Sequence, residues 1–179
     1  MQTINNHITN SERFMLIFIE KFFDKLRCES LSKYLFEQHK AKKLAYEGNN
    51  QHYKNSYGAS LPDFEKLLQD MTPMVKKLVG REDLIIRNSF SRIYFNDSIL
   101  KKHVDRNGLD VTMTVSIHND TGVDWPLHVQ TDDGVKSVVT NVGDAAIILG
   151  TKMPHWREAL SCQNGQMVMQ CFFHWGLPA

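Results

Sequence analysis

From Leu84 to the C-terminus the apolar residues favour a period of two, and no stretch between the short β-rich runs is long enough for a helix. The segment VTMTVSIH (111–118) sets Val111, Met113, Val115 and Ile117 against Thr112, Thr114, Ser116 and His118. That is the pattern of a strand between a dry and a polar face. The runs LIIRN, SRIYF, LHVQ, VKSVVT, AAIIL and MVMQCFFHW continue it, separated by turn chemistry in RNGLD, TDDG and NVGD. About eight short strands at such spacing predict a sandwich or jelly roll. A parallel α/β sheet is disfavoured because each parallel crossover needs a dozen or more residues, usually a helix, and no helix-length segment separates the strands. Neither G-x-G-x-x-G nor G-x-x-x-x-G-K-[ST] occurs, so nucleotide-binding folds have no support.

The first eighty residues carry a helical period instead. Thr9 and Glu12 have capping-box spacing, and Phe14, Met15, Phe18, Ile19, Phe22 and Leu26 follow it at helical intervals. A second helix is expected to begin near Ser60–Asp63 with Pro62 in its first turn. It carries Phe64, Leu67, Leu68, Met71, Met74, Val75 and Leu78 on one stripe and stops at Gly80. The polar AYEGNNQHYKNSYGAS between them reads as a long loop. Helices first and strands after predict an α+β fold, a double-stranded β-helix (jelly roll) buttressed by N-terminal helices. The 179 residues fit one domain, with residues 1–82 as helical support and 83–179 as the jelly-roll core carrying the site.

A formal net charge of +1 leaves no electrostatic footprint for nucleic acid or an anionic membrane. No apolar run approaches the roughly 20 residues that span a bilayer. The polar start MQTINNHITN lacks the layout of a secretory signal, and Cys28, Cys162 and Cys171 form no C-x-x-C pattern. Together these predict a cytoplasmic protein without a disulfide framework.

Eight histidines are present. His7, His39 and His52 have no partners at ligand spacing, and His128 and His174 read as strand residues of core or pocket. The tetrapeptide HVDR (103–106) is different in context. On an extended backbone His103 and Asp105, two apart, project from one face. His155 opens a later strand in GDAAIILGTKMPHWREAL, and a jelly roll can lay that strand beside them. Two imidazoles and one carboxylate leave about three positions of a metal open, which suits Fe(II) oxygen chemistry and differs from a closed structural zinc site.

The segments SRIYFNDSILKKHVDR and GDAAIILGTKMPHWRE resemble the 2-oxoglutarate- and Fe(II)-dependent dioxygenases, in particular their prolyl 4-hydroxylase-like branch, over roughly residues 60–176. The resemblance rests on the aromatic strand before H-x-D, the H-x-D itself, the turn Gly143–Asp144, and the histidine after a small turn. It implies Fe(II) held by His103, Asp105 and His155, with 2-oxoglutarate and O2 as co-substrates. It also implies decarboxylation to succinate and CO2 coupled to hydroxylation of a protein prolyl residue, a peptide or an amino acid. The basic residue with which this branch grips the far carboxylate is missing: Gly165, Gln166 or Met167 stands there, and no Lys or Arg follows Glu158. Arg157, on the same face as His155 if that strand continues, is the candidate anchor. Tyr94, Arg92 and Ser116 are further candidates around the co-substrate, and Arg106, Trp125 and Trp156 for substrate. Two other readings stay open on the same ligands: a cupin-like metal hydrolase or isomerase without 2-oxoglutarate, and a non-catalytic jelly-roll binding module.

Overall fold

The computed structural model describes residues 16–47 and 54–178. In chain order the elements are β1 (Leu16–Ile19), α1 (Lys25–Lys40), β2 (Ala45–Tyr46), β3 (Ser56–Ala59), α2 (Pro62–Val79), β4 (Ile85–Tyr94), β5 (Leu100–His103), β6 (Val111–Asn119), β7 (Leu127–Thr131), β8 (Gly134–Val138), β9 (Ala145–Ile148), β10 (His155–Arg157) and β11 (Val168–Gly176). They form two antiparallel sheets, a seven-stranded one in the order β1-β9-β6-β11-β4-β3-β2 and a four-stranded one in the order β5-β10-β7-β8. From β4 onward the chain passes back and forth between them, so residues distant in sequence meet on facing sheets.

The large sheet is covered on its outer face by the two helices. Met113, Val115, Ile93, Phe173 and Trp175 point that way and are buried with the helical stripe Phe64, Leu67, Leu68, Met71 and Val75. The Trp175 indole donates to Thr72 Oγ1 at 2.8 Å, which satisfies the one polar group on that ring. The second helix runs as its sequence predicts, from Pro62 in the first turn to Gly80, whose φ of +67° closes the helix in the left-handed conformation. Replacing Gly80 by Ala is expected to cost about 1 kcal/mol in urea unfolding, because only glycine takes this conformation without strain.

Strand β6 shows why alternation was informative. Its dry row, Val111 to Ile117, faces the helices, and its polar row, Thr112, Thr114 and Ser116, faces the small sheet. Both rows are buried, so the polar row lines an interior and not a solvated surface.

The start of the chain differs from expectation. The spacing across Phe14–Leu26 predicts a helix, but residues 16–19 form a strand beside β9, with Ile17 and Ile19 buried. An unbroken apolar run fits either period, and the free edge of the large sheet decides it. Thr9 and Glu12 lie outside the described residues. The helix instead begins after Asp24, whose side chain accepts from the Arg27 backbone N–H at 2.7 Å. Its buried stripe is only Cys28, Leu31 and Leu35, too sparse to stand out in sequence. The segment expected to be a loop carries the short strands β2 and β3, which extend the large sheet at its other edge. No helix among the described residues is long and apolar enough to cross a membrane.

Candidate metal centre

Strands β5 and β10 of the small sheet pair so that His103 lies opposite His155. That register brings the two imidazoles to 4.4 Å between ring centroids. Asp105, two residues beyond His103, places Oδ1 3.8 Å from His103 Nε2 and 3.7 Å from His155 Nε2. One ligand atom from each of the three residues lies within 4.8 Å of the others.

The backbone fixes the chemistry of both rings. His103 Nδ1 lies 2.8 Å from the Lys101 carbonyl and His155 Nδ1 lies 2.9 Å from the Met153 carbonyl. A carbonyl only accepts, so each Nδ1 carries the proton and each Nε2 presents its lone pair to the centre. Burial, and then the neighbouring His155, holds the His103 imidazole below its ordinary pKa, in the neutral form a metal requires. Asp105 is oriented in turn: Thr112 Oγ1 donates to its Oδ2 at 2.5 Å and its backbone N–H donates to the Gly150 carbonyl at 2.8 Å.

Gly150 has a steric duty here. A Cβ at this position would collide with Asp105 Oδ2 and lie 2.6 Å from Thr112 Oγ1 and 2.8 Å from the Leu109 carbonyl. Gly150→Ala is therefore expected to push the carboxylate out of place. Thr112→Val removes its orienting bond with little change in volume. Partners of this kind typically contribute 10- to 100-fold to metal affinity, and a loss of about that size in Mn(II) calorimetry is expected for each variant.

The centre opens into a cavity of about 300 Å³ between the sheets, at the small end of the range for ligand pockets. Its wall includes Asn88, Phe90, Arg92 and Tyr94 from β4, Thr112 and Thr114 from β6, Phe172 and His174 from β11, and Arg157 from β10. Arg157 is 1 % exposed, which makes it one of the largest fully buried side chains. One guanidinium nitrogen, Nη1, donates to the Trp125 carbonyl, and the group lies 4.9 Å from the centre of the Trp125 ring. Nη2 is buried without a hydrogen-bond partner, and no described acid pairs with Arg157. Burial, partly offset by Tyr94, pulls its pKa down to about 10, so the group is still a cation at neutral pH. Thr114 Oγ1 in the same cavity is also buried without a partner. Arg92 is engaged elsewhere, 2.6 Å from Glu47 Oε2.

The other sequence candidates separate cleanly. Tyr94 is fully buried, borders the cavity and meets Trp125 at 4.8 Å. Ser116 is buried but lies outside the cavity wall, so the hydroxyls of its row that border the cavity are those of Thr112 and Thr114. His118 pairs with Asp120 at 3.5 Å, away from the cavity. Trp125 supports Arg157, donating its own indole N–H to the Glu158 carbonyl at 2.7 Å. Trp156 lies against Lys102 (4.5 Å) and His128, outside the cavity. The Gly143–Asp144 turn is a structural corner, Asp144 accepting from the backbone N–H groups of Lys21 and Asn141 at 2.9 Å each. In sequence His174 fits either core or pocket. It borders the cavity with Nδ1 3.2 Å from the Asn88 carbonyl, and burial depresses its pKa.

No protein-family model and no curated protein matches the sequence. Solved structures match the architecture, and the fold is that of 2-oxoglutarate–Fe(II) oxygenases, prolyl hydroxylases among them. In particular, a prolyl-4-hydroxylase of Pseudomonas putida superposes with a TM-score of 0.75 over 92% of this chain and 93% of that one, at 11% identity. HygX from Streptomyces hygroscopicus, solved with nickel and 2-oxoglutarate, gives 0.69 over 90% and 82% at 14% identity. The viral collagen prolyl hydroxylase vCPH of Paramecium bursaria Chlorella virus-1, a 2-oxoglutarate complex, gives 0.68 over 95% and 98% at 8% identity.

Proposed function

We propose that the two sheets are a double-stranded β-helix and that the chain is an Fe(II)- and 2-oxoglutarate-dependent dioxygenase. In this reading it hydroxylates a prolyl residue, a peptide or an amino acid and releases succinate and CO2. His103, Asp105 and His155 hold the metal through Nε2, a carboxylate oxygen and Nε2. Bound Fe(II) supplies the activation of O2 that side chains cannot supply, fuelled by decarboxylation of the oxoacid. The protein's share is to set ligand tautomers, orient Asp105 through Thr112, and seat the oxoacid and substrate in a dry cavity.

The observation that carries this reading is the cation of Arg157, buried without an acidic partner among the described residues in the cavity that the three ligands open into. An uncompensated buried charge is costly, and an anionic ligand removes the cost. The far carboxylate of 2-oxoglutarate has the charge and shape for a guanidinium with a free Nη2, and Thr114 Oγ1 and Tyr94 border the same space. Arg157 thereby takes the role of the basic residue absent from positions 165–167. A hydrolase or isomerase working without an oxoacid would leave this cation unmatched. The reading is tested by assaying succinate formation with Fe(II), 2-oxoglutarate and a panel of prolyl peptides and free amino acids. Metal-dependent succinate formation that Asp105→Ala abolishes is expected; 2-oxoglutarate that neither binds nor turns over at saturating metal overturns it.

A further inference from the structure

We propose that the mouth of the cavity selects a carboxylate on the substrate, through Arg106 and Arg87. The proposal rests on the metal and 2-oxoglutarate reading above and narrows its substrate class. The charged groups of the cavity wall can be assigned one by one. Asp105 belongs to the metal set, Arg92 is ion-paired with Glu47, and Arg157 is matched to the oxoacid. Arg106 remains. It borders the cavity beside Val104 and Leu109 and has neither an ion pair nor a side-chain hydrogen bond among the described residues.

Arg87 does not line the cavity itself, but it is a second cation with no ion pair among the described residues, brought beside the neighbouring turn by an irregularity in the sheet. Strand β11 pairs His174 with Asn88 and then Trp175 with Ile86, so Arg87 is the extra residue of a bulge. Bulges re-aim side chains and are frequent beside functional sites. The Arg87 side chain runs across Gly176, where a Cβ would collide with its guanidinium, and its Nε would lie 3.9 Å from a Cβ built on Gly108. Gly108 belongs to the tight turn in which the Leu109 N–H donates to the Arg106 carbonyl at 3.1 Å. Two cations with no ion-pair partner among the described residues thus flank one turn beside the cavity, Arg106 on its wall and Arg87 against Gly108. Asp110 of that turn is taken up by the Leu177 N–H and Thr151 Oγ1, so an anion at the mouth gains from both cations. Phe90, Phe172 and Leu109 give the same cavity an apolar part of its wall. The matching substrate has an apolar body next to the metal and a carboxylate at the rim, gripped by guanidinium forks.

The test uses the full chain loaded with Mn(II) and saturating 2-oxoglutarate, both verified by calorimetry. The probes are 3-phenylpropionate and its neutral amide, 3-phenylpropanamide. Paramagnetic broadening of their proton resonances reports approach to the metal without any turnover. Broadening of the acid and roughly tenfold less of the amide is expected, with Arg106→Gln lowering the acid's affinity about tenfold and Arg87→Gln lowering it less. The 2-oxoglutarate titration of each variant serves as its control. Equal broadening by acid and amide, no broadening by the acid, or an Arg106→Gln protein that binds the acid like wild type overturns the proposal. Failure of the wild type to bind Mn(II) or 2-oxoglutarate refutes the underlying metal reading instead, and this proposal with it.

Discussion

Asp105→Ala lowers metal affinity by more than about 100-fold and abolishes 2-oxoglutarate turnover, while the protein stays folded. The magnitude follows from position: groups that merely orient a ligand typically contribute 10- to 100-fold, so loss of a ligand itself exceeds that. The expectation of an intact fold is equally physical. The Asp105 carboxylate accepts one hydrogen bond, from Thr112, at the edge of a cavity and away from the packed helix–sheet layer. A hydrogen bond to a carboxylate contributes about 1.5–3 kcal/mol, offset here because the metal-free variant no longer holds a partly buried carboxylate without its metal. Thermal unfolding of the metal-free variant near the wild-type temperature, together with silent Mn(II) calorimetry, is the expected pair of results. A variant that binds Mn(II) like wild type would remove Asp105 from the ligand set.

Arg157→Met produces the second large effect, and its two halves have opposite sign. Removing one partner of a buried charge pair costs about 3–5 kcal/mol, which at about 1.4 kcal/mol per factor of ten weakens 2-oxoglutarate binding at least 10²-fold. In the ligand-free protein the same substitution takes away a buried cation that no described acid compensates. Methionine follows the same path through the cavity without a charge. The free variant is therefore expected to be as stable as wild type or more stable, by up to ~1–4 kcal/mol, the range seen when apolar residues replace buried ions. Wild type should gain about 2.7 kcal/mol at 2-oxoglutarate concentrations 100 times the dissociation constant, and the variant far less under the same conditions. Thermal denaturation with and without the ligand, in the presence of Mn(II), reads both halves at once. A variant less stable than wild type but with the full ligand-induced shift would make Arg157 a structural residue.

Much of this site was legible because it depends on local periodicity. His103 and Asp105 sit two apart, so any extended backbone puts them on one side. The alternation of 111–118 names Thr112 and Thr114 as members of a polar row, and these two border the cavity. His155 and Arg157 were linked by the same period of two, and both line the cavity. What periodicity cannot give is register between strands. Nothing local says that His155 pairs with His103, that Ser116 falls beyond the cavity wall, or that a bulge frees Arg87. His174 and Gly150 were equally hidden. The first is one histidine in an apolar strand, and the second is a glycine whose need arises only when Asp105 packs against it. The misread start of the chain has a similar origin. LIFI is apolar throughout, and a neighbouring sheet edge settles its conformation.

On the proposed reading, His103, Asp105 and His155 place a metal where Arg157 can hold the far end of 2-oxoglutarate. Calorimetric titration of 2-oxoglutarate into the protein, without O2, tests it most directly when run on Mn(II)-loaded wild type, metal-free wild type and Mn(II)-loaded Arg157→Met. One-to-one binding to the first is expected, with markedly weaker binding to the second and at least 10²-fold weaker binding to the third. Equal affinity in all three, or no binding to the metal-loaded wild type, would contradict that reading.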